Sequence, residues 1–324
     1  MELYAGIDVG GTKILSIIAD EKGKIYGQNK LKTKSGNNIF ETIKSSYLNA
    51  INEAGIEEKE IKSIGLAMPS SINQDTKKLL NAPNLGLKDL EIYNIALELF
   101  NKPIFIDNDV NMGLYGEYIY GDLHNYRSVY GIFLGTGVGG GFIYNGEIVR
   151  GHGFTAGEVG HMIIDIHGRK CNCGNKGCLE TIAGKIGIVN YIKRQKNKPI
   201  ILEKIAPDWK ESVGYKDLYK AYHKKDRPVI KAVGAMSKAV GITCANLINT
   251  IGVDAVVIGG GAIDEFGDEI MNEIKRIALK NSIGGGGDTV LITNAKLKEH
   301  SVALGCIAFT SNPLHESILS RAIL

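Results

Sequence analysis

The sequence predicts an α/β protein made of two duplicated halves that face each other across a cleft. Two observations point there. The strings YAGIDVGGTKIL at 4–15 and YGIFLGTGVGGGFI at 130–143 share one plan: an apolar strand, a glycine-rich turn and a second apolar strand. Between and after them, strand-sized apolar runs alternate with segments of helical period.

In chain order, Leu3–Ile7 is a short apolar run ending in Asp8, and Ile14–Ala19 is a second. Glu21-Lys22-Gly23-Lys24 has the composition of a hairpin turn, so a third strand starts at Ile25. Phe40, Ile43, Tyr47, Leu48 and Ile51 form one stripe of a helix over 40–53. Ile61–Met68 is a strand stopped by Pro69, Leu90–Phe100 a helix, and Ile104–Ile106 a strand running into Asp107-Asn108-Asp109. The second half opens with a strand over 128–134 and, after the glycines, a strand over 142–144. Residues 195–227 are rich in lysine, hold the single tryptophan, Trp209, and carry no motif, so they are expected to be a helical insertion on the surface. A helix over 227–251 and a strand over 254–258 follow, then Gly259-Gly260-Gly261. The Gly284–Gly287 run has no strand leading into it and is expected to be a linker, and the tail 301–324 is expected to be mostly helix.

With 324 residues the chain can bury a large core without disulfides. A net charge of +3 is too small to imply nucleic acid or an acidic membrane surface as partner. The start, MELYAGIDVGG, has neither the basic nor the apolar region of a secretory signal, and no apolar run approaches the ~20 residues of a spanning helix. A cytoplasmic protein is expected. Of five cysteines, Cys244 and Cys306 lie in apolar segments and read as buried thiols, whereas Cys171, Cys173 and Cys178 cluster.

Four constellations carry chemistry. The first is the glycine loop from Asp8 through Gly10, Gly11 and Thr12 to Lys13. Glycines there let backbone N–H groups approach an anion. The loop joins strand to strand, with Thr before Lys, so it is a phosphate hairpin rather than a strand-to-helix phosphate loop. The second is Gly135-Thr136-Gly137 and the glycines up to Gly141, more than a hairpin needs; a nucleotide pressed against the backbone would explain them. Gly259-Gly260-Gly261, after a strand, fits contact with a nucleotide edge. The third is C-x-C-x4-C at Cys171, Cys173 and Cys178, with His161 and His167 upstream. Three thiolates and one imidazole suit zinc, and spacing alone leaves the histidine open. Glu158 and Glu180 flank this loop as candidate acceptors for sugar hydroxyls. The fourth is Asp107-Asn108-Asp109 at a strand end, where α/β proteins place ligand groups. Asp109 suits a base that takes a proton from a phosphoryl acceptor; a helix cap is the alternative role.

Taken together, DVGGTK at 8–13, NDVN at 108–111, GTGVGGG at 135–141, EVGH at 158–161, CNCGNKGCLE at 171–180 and VVIGGG at 256–261 resemble the ROK family of bacterial sugar kinases and sugar-responsive repressors over nearly the whole chain. The resemblance implies an actin/hexokinase-like (ribonuclease H-like) fold, with ATP and magnesium in the interdomain cleft and closure on sugar. It implies a smaller domain over 1–113, completed by a C-terminal helix at about 305–324. The larger domain would be 114–304, with a zinc loop at 158–180 and the insertion at 195–227. It selects His161 over His167 as the fourth ligand of a structural zinc. It makes Asp109 the base and Asn108, Glu158, His161 and Glu180 sugar contacts, with Asn84 a further one. Asp8 would lie near magnesium, and the first two glycine loops would hold phosphates. A homodimer is implied as well. One departure stands out: family kinases usually carry Pro-Gly after the strand ending at Met68, and here the residues are Pro69-Ser70-Ser71.

The expected activity is ATP-dependent phosphorylation of a hexose, glucose to glucose 6-phosphate first. Kinases of N-acetylmannosamine, N-acetylglucosamine and fructose share these motifs. Family repressors carry a DNA-binding domain ahead of the first glycine loop, which here begins within ten residues of Met1, so a transcriptional regulator is not the expectation. A sugar binder without catalysis would need neither Asp109 nor two phosphate loops.

Overall fold

A computed structural model describes residues 2–34, 38–283, 289–312 and 315. Gly284–Gly287 and most of the tail beyond 312, both subjects of expectations above, lie outside the described residues. Contacts divide the chain into two units, one of residues 1–125, 146–156 and 299–324, the other of 126–145 and 157–298.

In the first unit, β1 (Leu3–Val9), β2 (Lys13–Ala19) and β3 (Ile25–Lys32) form an antiparallel meander, and β4 (Ile61–Met68) and β8 (Ile104–Asn108) extend β1 in parallel. The strand order is β3-β2-β1-β4-β8. β4 is buried at all but one position, the pattern of a parallel strand covered on both faces. On one face Ile39, Ile43 and Tyr47 of α1 (Asn38–Ala54) join Ile7, Ile64 and Ile106 in one core. Against the sheet lies the last described helix, α11 (Ser301–Ser311), and a Cβ on Gly6 would sit 2.0 Å from the Ala303 carbonyl oxygen. Only glycine lets that helix approach so closely. α11 also packs on α3 (Asp109–Tyr120), one continuous helix that carries the first unit past residue 113. A short strand, β11 (Glu147–Ile148), lies in the 146–156 segment.

The expected helix over 90–100 is shorter in the structure. Leu87–Leu90 is strand β7, and the helix is α2 (Ile92–Phe100). With β5 (Ile72–Asn73) and β6 (Lys78–Ala82), β7 makes a small sheet that sequence patterning missed. Its strands are two, five and four residues long, too short to show alternation.

The second unit repeats the plan. β9 (Ser128–Leu134) and β10 (Val138–Tyr144) form a hairpin, and β12 (Ala255–Gly259) and β13 (Leu291–Asn294) extend β9 in parallel. β10 begins at Val138, four residues before the expected Phe142, so Gly139, Gly140 and Gly141 are strand residues rather than loop. The helices are α4 (Glu180–Ala183), α5 (Lys185–Lys193), α6 (Ile200–Ile205), α7 (Tyr215–His223), α8 (Arg227–Ile251), α9 (Gly261–Phe266) and α10 (Asp268–Asn281). The 195–227 segment is helical as expected but is no surface appendage. Leu202, Trp209, Val213 and Leu218 are buried in the unit's core, Trp209 at 2% exposure. The buried Asp226 carboxylate accepts from Ile201 N and Leu202 N at 2.9 and 3.0 Å, fixing the start of α6. Cys244 and Cys306 are buried as expected. Among the described residues no helix is long and apolar enough to cross a membrane.

Candidate functional site

In the first unit three parallel strands end side by side, with Asp8 in register with Ala67 and Ala67 with Asp107. Asp8 is partly buried, and its carboxyl is pushed up to about 7. Burial is the main cause, the Asp109 carboxylate adds to it, and Lys13 opposes it. The two acids singled out from sequence, 101 positions apart, are therefore electrostatic neighbours. The turn after β1 closes through Gly10 N to Lys13 O at 2.9 Å. Thr33 braces it, its hydroxyl donating to Gly10 O at 2.7 Å and its N–H to Thr12 O at 3.0 Å. The Lys13 ammonium lies 3.3 Å from Glu299, which also takes Lys30 at 2.5 Å. Asn84 comes against the same turn: a Cβ on Gly11 would lie 3.6 Å from Asn84 Cβ.

Asp109 is the first residue of α3, and Asn108, not Asp109, caps the helix. Asn108 Oδ1 accepts from Val110 N at 2.9 Å and Asn111 N at 3.1 Å, and its Nδ2 donates to Ser70 O at 3.3 Å. The Asn108 acceptor is thus engaged by backbone, and its amide keeps one N–H for a ligand. Ser70, at the departure noted above, is buried; its hydroxyl accepts from Asn81 N at 3.1 Å and donates to Ser71 O at 3.1 Å. The loop that differs from the family pattern therefore holds Asn108 by a backbone carbonyl.

Sequence reasoning missed Arg150. Its guanidinium donates twice to Asp107 Oδ2, while Asp107 Oδ1 accepts from Asn108 N at 2.7 Å and Asn111 Nδ2 at 3.3 Å. A lone arginine beside a glycine string carries no motif, and only the fold brings it to Asp107.

In the second unit the Cys171, Cys173 and Cys178 sulfurs and a His161 ring nitrogen all lie within 4.8 Å of one another. His161 Nδ1 is 3.8 Å from Cys171, and Cys173 is 3.7 Å from Cys178. His167 is not in this group. Three sulfurs and one imidazole at these separations fit a tetrahedral zinc site. The loop around them is built from turns, and its Arg169 donates to Thr181 O and, at 3.2 Å, to Gly187 O, tying the loop to α4 and α5. The same loop gathers the acids. Glu180 opens α4, its Oε1 lies 3.7 Å from Cys171 Sγ, and its Oε2 accepts from Val138 N at 3.2 Å. Shielding from water by the surrounding protein raises the Glu158 carboxyl from its ordinary value; His161 opposes the rise and Glu180 adds to it.

The glycines after β9 divide into two roles. A Cβ on Gly140 would meet Gly157 O at 2.4 Å and Val159 Cγ1 at 2.6 Å, so this glycine admits the segment bearing Glu158 and His161 against β10. It needs no nucleotide to explain it. Gly135–Gly137 remain as a turn, with Lys185 N and Ile186 N of α5 donating to Gly135 O and Thr136 O at 3.1 and 3.2 Å. Gly259–Gly261 lie at the end of β12, whose Gly259 is in register with Phe133 of β9.

A sequence model of the ROK family matches residues 4–312. The chain belongs to the ROK family. A glucokinase of Halalkalibacterium halodurans is 31% identical, with 84% of each chain covered. A putative xylose repressor of a Caldicellulosiruptor species is 30% identical over 94% of this chain and 77% of that one. The crystal structure of a ROK family glucokinase from Streptomyces griseus, in complex with glucose and AMPPNP, superposes with a TM-score of 0.81 at 25% identity, covering 94% of this chain and 98% of that one. The fold is accordingly the actin/hexokinase-like one of ROK kinases. ROK relatives include kinases and repressors alike, so membership gives the fold while the activity is argued from residues.

Proposed function

We propose that this ROK protein is an ATP-dependent hexose kinase, with glucose as the first candidate substrate. The observation that carries the reading is the Asp8–Asp109 neighbourhood beside the Gly10–Lys13 turn, where the charge of one acid raises the other. Like-charged groups held close together in a partly buried place, one raising the other, are a feature that sites built for chemistry use. In this reading Asp109 takes the proton of the sugar 6-hydroxyl as its oxygen attacks the γ-phosphorus, and ADP leaves. In the same reading Asn84, Asn108, Glu158, His161 and Glu180 are the sugar contacts. The Gly10–Lys13 and Gly135–Gly137 turns present N–H groups to the phosphates, with Gly259–Gly261 at the nucleotide edge. Two neighbouring carboxylates are a donor set for a hard cation, and magnesium held near Asp8 would neutralise charge on the transferring phosphoryl group. Zinc held by His161, Cys171, Cys173 and Cys178 would order the loop that carries the sugar-binding acids.

The test is ADP release with glucose, N-acetylmannosamine, N-acetylglucosamine, fructose and mannose, against a control without sugar. Sugar-dependent ADP release supports the kinase and ranks the substrates. The repressor relatives favour a second reading, a sugar-responsive regulator. Sugar binding with no ADP release from any of the five would replace the first reading with the second.

A further inference from the structure

The 195–227 segment has a core residue whose polar end the core does not need. Tyr215, the first residue of α7, is 8% exposed. Its hydroxyl donates to Gly135 O at 2.8 Å, the same carbonyl that accepts from Lys185 N at 3.1 Å, so both lone pairs of that oxygen are used. Its ring lies against the other glycine turn. The three atoms nearest to a Cβ placed on Gly261 are all Tyr215 ring carbons, at 2.9, 3.5 and 3.9 Å. The two turns also stand together through backbone. Gly260 has φ +88°, and a Cβ there would meet Leu134 O at 2.7 Å, one residue before Gly135. A phenylalanine would fill the hydrophobic site equally well, whereas the hydroxyl is aimed at one turn and the ring at the other.

We propose that Tyr215 is a positioning residue for the donor nucleotide, locking the Gly135–Gly137 turn to the Gly259–Gly261 turn. This rests on the kinase reading above only in assigning those turns to the nucleotide. Binding of phosphates to backbone N–H groups requires the turns to be in place beforehand, and any fraction of time spent displaced weakens affinity in proportion. The segment without a motif thereby acquires a role: α7 carries a clamp on the nucleotide side of the second unit.

The experiment is calorimetric titration of the full chain with a non-hydrolysable ATP analogue plus magnesium and, separately, with glucose. Tyr215→Phe keeps the ring and removes the hydroxyl. It is expected to weaken nucleotide binding about two- to tenfold, the range of one net hydrogen bond, and to leave sugar binding unchanged. In turnover the same variant should raise the KM for ATP more than it lowers kcat. Gly261→Ala forces a Cβ into the ring, so it should cost nucleotide affinity in the parent and much less in a Tyr215→Ala background, a coupling that independent sites would not show. Unchanged nucleotide affinity in Tyr215→Phe, or equal loss for nucleotide and sugar, overturns the proposal. A parent chain that binds the analogue but releases no ADP with any sugar defeats the kinase reading, while the titrations still decide Tyr215. A parent chain that does not bind the analogue overturns both.

Discussion

Arg150 donates to one carboxylate oxygen of Asp107 from two nitrogens, Nε at 2.8 Å and Nη2 at 2.5 Å. Asp107 is 1% exposed, and its other oxygen receives Asn108 N and Asn111 Nδ2. The carboxylate is therefore the post on which the turn into α3 is hung, two residues before Asp109. Arg150→Met would leave a buried charge without its cation, at a cost of about 3 kcal/mol. Urea unfolding should show that loss, and Asp107→Asn added to Arg150→Met should recover part of it. Catalysis separates positioning from mere stability. Under conditions where the variant remains folded, kcat should fall while the KM for ATP stays near the parent value. A lower urea midpoint with kcat intact would confine the pair to a structural role.

Asp109→Asn keeps the shape of the side chain and removes the carboxylate proposed as the base. Loss of a general base typically costs about 10²–10⁴ in rate. Sugar binding should survive, because an amide still accepts a hydrogen bond from a hydroxyl. Calorimetry with sugar and the ADP assay measure the two halves of this expectation. Near-normal ADP production would remove Asp109 from the mechanism.

Asp8 makes ligand-free stability depend on pH. Its carboxyl is raised to about 7 in the folded protein from an ordinary value of 3.8. Between those values the folded chain holds a proton that the unfolded chain has released. Stability from this group is thus fully present below pH ~4 and is lost as pH rises to ~7. Asp8→Asn should remove that slope, and at pH 8 it should be more stable than the parent by about 2 kcal/mol, half of what the shift would give with no water reaching the group. Asp109→Asn should lower the Asp8 midpoint, since Asp109 contributes to the rise. Urea midpoints at pH 5 and 8 check the first expectation, and carboxyl carbon chemical shifts during a pH titration check the second.

Where candidate groups are written in runs of adjacent residues, sequence reading found groups that the fold brings together. The strand–glycine–strand plan at 4–15 and 130–143 shows the duplicated topology because a hairpin is a local object. The cysteine cluster is legible because three of its four members lie within eight residues. Contacts made across the fold are different. Arg150 reaches Asp107 over 43 positions and Tyr215 reaches Gly135 over 80, and neither has a local signature. Trp209 is expected on the surface for a related reason: its lysine-rich neighbours describe the outward face of the segment, while its buried face is set by packing of α6 on α7 and of α7 on α8. Gly140 was misread too, because a glycine that admits a neighbouring backbone looks, in sequence, like one that admits a phosphate.

The cluster of His161 with Cys171, Cys173 and Cys178 yields the last expectation. Val159 and Leu179 anchor the two ends of the 158–180 loop in the core, with Met162 and Ile164 packed against it. Ile163 and Ile166, however, are 51% and 79% exposed, and Cys171 is the one buried apolar side chain over 165–177, so packing holds the middle of the loop weakly. A structural zinc in a site of this kind contributes about 10–16 kcal/mol of apparent binding energy, enough to order a loop of this length. Glu180 starts two residues after Cys178, and its Oε2 accepts from Val138 N at the end of the Gly135–Gly137 turn. Loosening the loop should therefore reach Glu158 and Glu180, the proposed sugar contacts, first and the Gly135–Gly137 turn second. The untreated protein should hold about one zinc per chain by elemental analysis, and Cys171→Ser or treatment with a chelator should lower that content. Sugar affinity should fall by at least tenfold and nucleotide affinity by less, because Gly135 and Thr136 are also held by α5. Adding zinc back to the chelated parent should restore sugar binding, while Cys171→Ser should not respond. Equal loss of both ligands with a collapsed urea midpoint would mean that the metal holds the whole unit together rather than the sugar loop.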